Sequence, residues 1–196
     1  MKTMSAVSEN ISGVAHRTLV KTMFVISFVI MTALGAYVRI PLPFSPVPIT
    51  LQTFFVFLCG AVLGKKLGGF TQFSYVFLGA IGVPVFQGYG SGFPHILGPT
   101  GGYLAGFIVA SCLIGAVMDR GRHLSSFSYI IFAMSVGVLA IYTCGVAWLM
   151  VGYKFSFVRG ISSGFIPFIP GAVVKLITAA WVYLKIRPRT DLLIHD

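Results

Sequence analysis

The sequence predicts an all-α integral membrane protein of six transmembrane helices, with both termini in the cytoplasm and a ligand site near the outer side. Three observations predict it. Hydrophobic residues fill 57% of the 196 positions and charged residues 9%, where soluble domains carry about 25% charged residues. The apolar residues fall into long runs separated by glycine, proline and basic clusters, and the length accommodates about six spans of roughly 20 residues with short loops. Lysine and arginine gather at alternate junctions, which sets the orientation. The chain reads as a single membrane domain, 1–196.

Residues 1–17 are small and polar, with Lys2, His16 and Arg17, and read as a short cytoplasmic tail or amphipathic lead-in. The first apolar run, Phe24 to Val38, lacks a convincing small-residue cleavage site and leads into Pro41-Leu-Pro-Phe-Ser-Pro46. It is therefore a span, about 18–38, and not a signal peptide. Asn10-Ile-Ser12 matches a glycosylation sequon, a tripeptide common by chance and here on the inner side. Four prolines between Arg39 and Pro48 forbid a regular helix and predict a stiff, extended loop. Span two covers about 49–63 and closes at Gly64-Lys65-Lys66. Gly60 to Lys66 is not a phosphate-binding loop, because three residues separate its glycines where that motif needs four.

Span three covers about 67–83, with Gly68 and Gly69 as packing or turn residues. The segment 84–100 holds Gly88, Gly90, Gly92, Gly98, Pro94 and Pro99 and shows neither helical nor strand periodicity. Its length predicts a lid, and Phe86, Tyr89 and Phe93 argue against disorder. Span four, about 101–118, opens on Gly101-Gly102-Tyr103-Leu104-Ala105-Gly106, whose small residues let a neighbouring helix approach closely. Span five, about 127–151, is long enough to imply tilt. Span six covers about 170–186 and ends in Lys185-Ile-Arg187-Pro-Arg189.

Ten of the fourteen Lys and Arg residues fall in the first tail, the two-three loop, the four-five loop and the C-terminus; Arg39, Lys154 and Arg159 fall on the other side. The positive-inside rule then puts both termini in the cytoplasm, and the net charge of +10 reads as a topology signal rather than a nucleic-acid surface. The proline-rich loop, the glycine-rich loop and the approach to Lys175 all face outward.

Lys175 is the residue that speaks to function. An ammonium inside an apolar span costs about 2.5 to 3.5 kcal/mol on insertion scales and usually marks a binding or transport site. The chain's four acids, Glu9, Asp119, Asp191 and Asp196, lie outside the spans, so the counter-ion must come from a ligand, another chain or lipid, an anionic ligand being simplest. The other reading is that Lys175 snorkels to the interface along its stem. Gln52, an amide inside a span, requires either a helix–helix bond or a ligand contact. Tyr142, deep in span five beside Gly145, either packs or contacts ligand, while Trp148 and Trp181 read as packing or interface anchors. Cys59, Cys112 and Cys144 stand singly as small hydrophobes. His16, His123 and His195 lie in cytoplasmic segments, and His95 lies in the lid, where a ligand would be in reach. Proton-transfer chemistry needs a positioned acid or base, and no carboxylate or histidine falls in a predicted span. An enzyme is therefore disfavoured, leaving a capture subunit for a small carboxylated solute or a self-sufficient carrier or channel.

Pro46-Val-Pro-Ile-Thr-Leu-Gln-Thr53, Leu78-Gly-Ala-Ile-Gly-Val-Pro-Val-Phe86, Gly98-Pro-Thr-Gly-Gly-Tyr-Leu-Ala-Gly-Phe107, Ile141-Tyr142 with Gly145 and Trp148, and Pro167-Phe-Ile-Pro-Gly with Lys175 together resemble the BioY family, biotin-specific substrate-capture components of energy-coupling factor (ECF) transporters. The resemblance covers about 34–184. It implies a six-helix subunit of the bacterial plasma membrane that binds biotin from outside and works with a transmembrane coupling protein and paired cytoplasmic ATPases. The absence of a Walker motif here is consistent with that division. It also implies a ligand site drawn from Lys175, Gln52, Tyr142, Gln87, Ala172, Tyr89 and Gly98, with no catalytic residue, metal or cofactor. Two positions depart from the family pattern. Ala172 stands where the family has an aspartate, on the helix face of Lys175, so neutral acceptors such as Gln52, Gln87 or backbone carbonyls must serve the ureido N–H groups. The alanines that the family spaces by four in helix one for docking are replaced here by Ser27, Ala33, Gly35 and Ala36 as the nearest small residues.

Overall fold

The structure is a computed structural model that describes residues 2–121, 124 and 126–194, with side chains from residue 15 onward. His123 and His195, read above as cytoplasmic, lie outside the described residues. The first helix, α1, runs Lys2–Tyr37. The segment read as a tail is thus helical and continuous with the first span, because no proline interrupts it and a lone Gly13 is too weak a breaker to stop a helix.

A two-stranded antiparallel ribbon follows, β1 (Arg39–Ile40) against β2 (Ile49–Thr50), with Arg39 opposite Thr50. The connecting loop, expected to be extended, instead turns at residues 43–44, where Ser45 N donates to the Leu42 carbonyl at 3.4 Å, and so brings the two strands together.

Helix α2 (Gln52–Ala80) is interrupted at Gly64, whose φ of 73° and ψ of −176° are not helical. A straight helix would separate residues 52 and 75 by about 35 Å, yet the Gln52 amide Nε2 donates to the Tyr75 hydroxyl at 2.6 Å. The chain therefore doubles back at Gly64, and its arms 52–63 and 65–80 are separate passes. Among the described residues, five helical segments are long and apolar enough to cross a membrane, and the folded α2 raises the crossings to six.

Two features fix this turn. The backbone at Gly64 lies in a region open essentially to glycine alone. The Asp119 carboxylate accepts a hydrogen bond from Lys65 N at 2.9 Å, which places an anion at the N-terminus of the second arm. Helix α4 (Gly101–Arg120) packs against the hairpin. It comes so close that a Cβ on Gly115 would strike the backbone of Gly64 and Lys65, the close approach that small residues permit between membrane helices.

Helix α5 (Phe127–Gly152) packs on the other side of α4. Ile114, Met118, Ile130, Met134, Ile141 and Leu149 are wholly buried there. Outward-facing Leu19, Ile26 and Ile30 of α1 and Phe70, Phe73 and Phe77 of the second α2 arm remain exposed, as lipid-facing surfaces require.

The segment 84–100, expected to lack regular structure, contains a 3₁₀ turn at Gln87–Tyr89 and α3 (Gly92–Ile96), elements too short to leave a periodic signal. A further helix, α6 (Phe157–Gly164), was not anticipated. Ser156 caps it, its Oγ accepting from Arg159 N at 3.3 Å. A 3₁₀ turn at Ile166–Phe168 leads into α7 (Ile169–Ile194), with Pro170 in the first turn, where a missing N–H is harmless. Helix α7 passes the expected end near residue 186 and carries Pro188 within it. Arg187 secures the extension by pairing with Asp191 at 3.1 Å and donating from Nη1 to the Leu124 carbonyl at 3.0 Å.

Candidate functional site

Where the outer ends of α2, α4, α5 and α7 converge under the 84–100 segment, they line a small cavity that opens on one side. Lys175 projects from α7, six residues and about 9 Å from the helix start. Its ammonium reaches across to the start of α2. It donates to Thr53 Oγ1 at 2.6 Å and to the Thr50 carbonyl at 3.0 Å. Both acceptors are neutral. Among the described residues no carboxylate meets it: Asp119 is engaged at the cytoplasmic turn and Asp191 with Arg187. Two of the three ammonium donors are thus used to hold it in place, and the charge itself is left uncompensated at the cavity wall.

Gln52 lines the same cavity, but its amide is committed at both ends. Nε2 donates to Tyr75, Oε1 accepts from Thr50 Oγ1 at 3.2 Å, and the Tyr75 hydroxyl donates onward to the Val85 carbonyl at 3.1 Å. The helix–helix bond expected as one of two possibilities is made, and the residue ties both arms of α2 to the loop above the cavity.

The walls are aromatic. Tyr103 of α4 donates from its hydroxyl to the Gly164 carbonyl at 2.6 Å, and its ring sits in space left by Gly145, where a Cβ would collide with it. Tyr142 of α5 meets Tyr103 edge to face, with centroids 6.3 Å apart, and lies 5.2 Å from Phe165 and 6.0 Å from Phe168. The Tyr142 hydroxyl makes no hydrogen bond among the described residues. From the loop, wholly buried Phe86 packs edge to face on Tyr75 at 5.6 Å and carries the His95 ring stacked on it at 4.9 Å. Partial burial lowers the His95 imidazole from the ordinary histidine value. Gln87 reaches the cavity from the 3₁₀ turn.

Of the residues expected at the site, Lys175, Gln52, Tyr142 and Gln87 line the cavity together. Three do not. Tyr89 is 72% exposed and lies against Tyr37 at 4.8 Å, turned away by a backbone φ of 60°. Gly98 serves the lid instead: its carbonyl accepts from Trp148 Nε1 at 2.9 Å, while Tyr153 donates to the adjacent Leu97 carbonyl at 3.0 Å. Ala172 is buried in α7 one turn before Lys175, outside the lining. The sequence reading missed Thr53, Thr100, Tyr103, Phe86 and Phe168. Thr53 and Thr100 are short hydroxyls beside apolar runs and leave little signal. Lys175 and Thr53 meet across 122 positions, a separation that no local pattern reports.

The family model described as the BioY family matches residues 4–191. A probable biotin transporter BioY of Pyrococcus horikoshii is 40% identical over 165 residues, 83% of this chain and 93% of its own length. The biotin transporter BioY of Thermotoga maritima is 40% identical over 160 residues, 82% of this chain and 91% of its own. Among solved structures, the S-component for biotin from an ECF-type ABC transporter superposes with a TM-score of 0.82 at 25% identity, over 87% of this chain and 92% of that one.

Proposed function

Since the chain belongs to the BioY family, we propose that it is the biotin-binding component of an ECF-type transporter. It captures the vitamin at the outer face of the cell membrane and hands it on for uptake. The observation that carries this reading is Lys175, an ammonium oriented by two neutral oxygens at the wall of an aromatic cavity. Biotin combines a fused ring system with a chain ending in a carboxylate. Its rings match the apolar wall of Tyr103, Tyr142 and Phe168, and its carboxylate supplies the counter-charge that Lys175 lacks. A charge-assisted pair inside a low-dielectric site is stronger than the same pair in water. In this reading the ureido group meets neutral partners such as Gln87 and Thr100. Release inward is driven by a transmembrane coupling protein and its paired ATPases.

Calorimetric titration of the purified protein with biotin tests the reading, with saturable one-to-one binding expected and no heat of binding as the result that rejects it. Uptake by cells that retain this chain but lack the ATPases distinguishes the proposed division of labour from a self-sufficient carrier. Uptake is expected to cease.

The loop above the cavity gives a further expectation. Tyr89 and Phe93 are exposed at 72% and 68%, in a loop that also supplies Phe86, Gln87 and His95 to the cavity. Ligand contact with those inner residues favours the closed arrangement by population shift. Proteolysis near Tyr89 in detergent-solubilised protein is expected to slow when biotin is present, and equal cleavage rates with and without biotin would reject closure.

A further inference from the structure

Among the polar side chains of the cavity wall, His95 is held firmly yet makes no hydrogen bond through its ring among the described residues. Lys175 donates to Thr50 and Thr53, the Gln52 amide is engaged at both ends, and the Tyr103 hydroxyl donates to Gly164. The imidazole, by contrast, is positioned through its apolar contacts. One face stacks on Phe86 at an interplanar angle of 19°, and Phe86 is itself wholly buried against Tyr75. The Nδ1–Cε1 edge packs on Gly90, where a Cβ would collide with it, and the imidazole lines the cavity.

We propose that His95 is a specificity-determining ligand contact, an unprotonated ring nitrogen accepting a hydrogen bond from a ring N–H of bound biotin. The inference rests on the biotin reading of the cavity. Biotin presents one anionic group and a ureido ring with two N–H donors, and a donor buried without an acceptor loses affinity. The ammonium of Lys175 cannot accept, whereas a neutral imidazole carries one acceptor nitrogen.

The surroundings favour that neutral form. The titratable groups sharing the cavity are Lys175 of α7, Tyr103 of α4 and Tyr142 of α5. The Arg39 guanidinium lies against Gly88 in the same loop. No carboxylate lines the cavity among the described residues. A proton on His95 would add a cation near two others with nothing to neutralise it, and would convert the acceptor into a donor.

The test is calorimetric titration of the full chain with biotin between pH 5.5 and 7.5, where a carboxylate of ordinary pKa, about 4.3, stays largely ionised. The parent is expected to lose affinity as the pH falls below the ordinary histidine range. Titrations in two buffers of different ionisation enthalpy at pH 5.5 should show proton release on binding. His95→Phe keeps the stacking and removes the acceptor. It should bind about fivefold more weakly at pH 7.5, the size carried by one neutral hydrogen bond, with a flat pH profile. His95→Gln should recover affinity relative to His95→Phe and also lose the pH dependence.

A flat profile in the parent, or unchanged affinity in folded His95→Phe, overturns the proposal. Affinity that rises on acidification overturns it too, since an imidazolium would then be meeting the carboxylate. If His95→Phe does not fold, the parent profile and His95→Gln decide. A parent that fails to bind biotin even at pH 7.5 refutes the biotin reading itself; one that binds with no pH dependence refutes the role of His95 alone.

Discussion

Lys175→Met is expected to weaken biotin binding at least tenfold, about 1.4 kcal/mol, while leaving the protein folded. Methionine keeps most of the side chain's bulk and removes the charge. The two oxygens it abandons have different fates. The Thr50 carbonyl sits at the end of a two-residue strand near the cavity mouth, and the Thr53 hydroxyl can turn to another acceptor, so neither is expected to unfold the site. What is lost is the cation placed for the ligand carboxylate. Biotin methyl ester supplies the complementary measurement: it should bind the parent poorly and should lose little further in Lys175→Met, because both changes remove the same pair. Additive losses in that double comparison would show that Lys175 and the carboxylate do not meet. Equal affinity of parent and folded variant for biotin would show that the ammonium plays no part in capture.

Gly64→Ala is expected to lower the thermal midpoint by several degrees. Two costs combine. The backbone at Gly64 occupies a region that costs an L-residue about 1 to 3 kcal/mol, and a Cβ there would lie 2.6 Å from an Asp119 carboxylate oxygen. Relieving that contact pulls Asp119 from Lys65 N and exposes the start of the second arm of α2. Gly82 provides the control, since its φ is also positive, at 107°, but nothing lies within 4 Å of a Cβ built there. Gly82→Ala should pay only the backbone part. Thermal unfolding of the three proteins in the same detergent makes the comparison, and a Gly64→Ala protein that melts with the parent would mean the turn tolerates another conformation.

Composition and apolar run length were sufficient to read the membrane class and the six-crossing count, because lipid imposes both directly on the sequence. The turn at Gly64-Lys65-Lys66 was also legible: a glycine followed by two lysines ends an apolar run in any membrane chain. The 2–17 extension of α1 was not, since polarity marks where lipid ends and says little about where a helix ends. The Tyr-rich wall escaped for a related reason. Tyr103 and Phe168 stand in apolar runs where every aromatic resembles packing, and the glycines that seat Tyr103 lie on α5 and at the end of α6. Lys175 could be singled out because its cost in hydrocarbon is large whatever surrounds it. Its partners could not, because Thr50 and Thr53 reach it only once the hairpin of α2 has folded against α7.

That hairpin has a bearing on the lipid around it. Twelve helical residues in the first arm cover about 18 Å and sixteen in the second about 24 Å, against a hydrocarbon layer of about 30 Å. Lys65 and Lys66 at the inner turn are both exposed, placed to extend long stems toward the headgroups, and a bilayer thicker than these arms would have to thin beside α2. A thin spot of membrane beside the hairpin is the expected result. Lengthening the acyl chains of a reconstituted bilayer would load that spot, at a fraction of a kcal/mol for each ångström of mismatch, and the load would fall on the hairpin whose opening residues hold Lys175 in place.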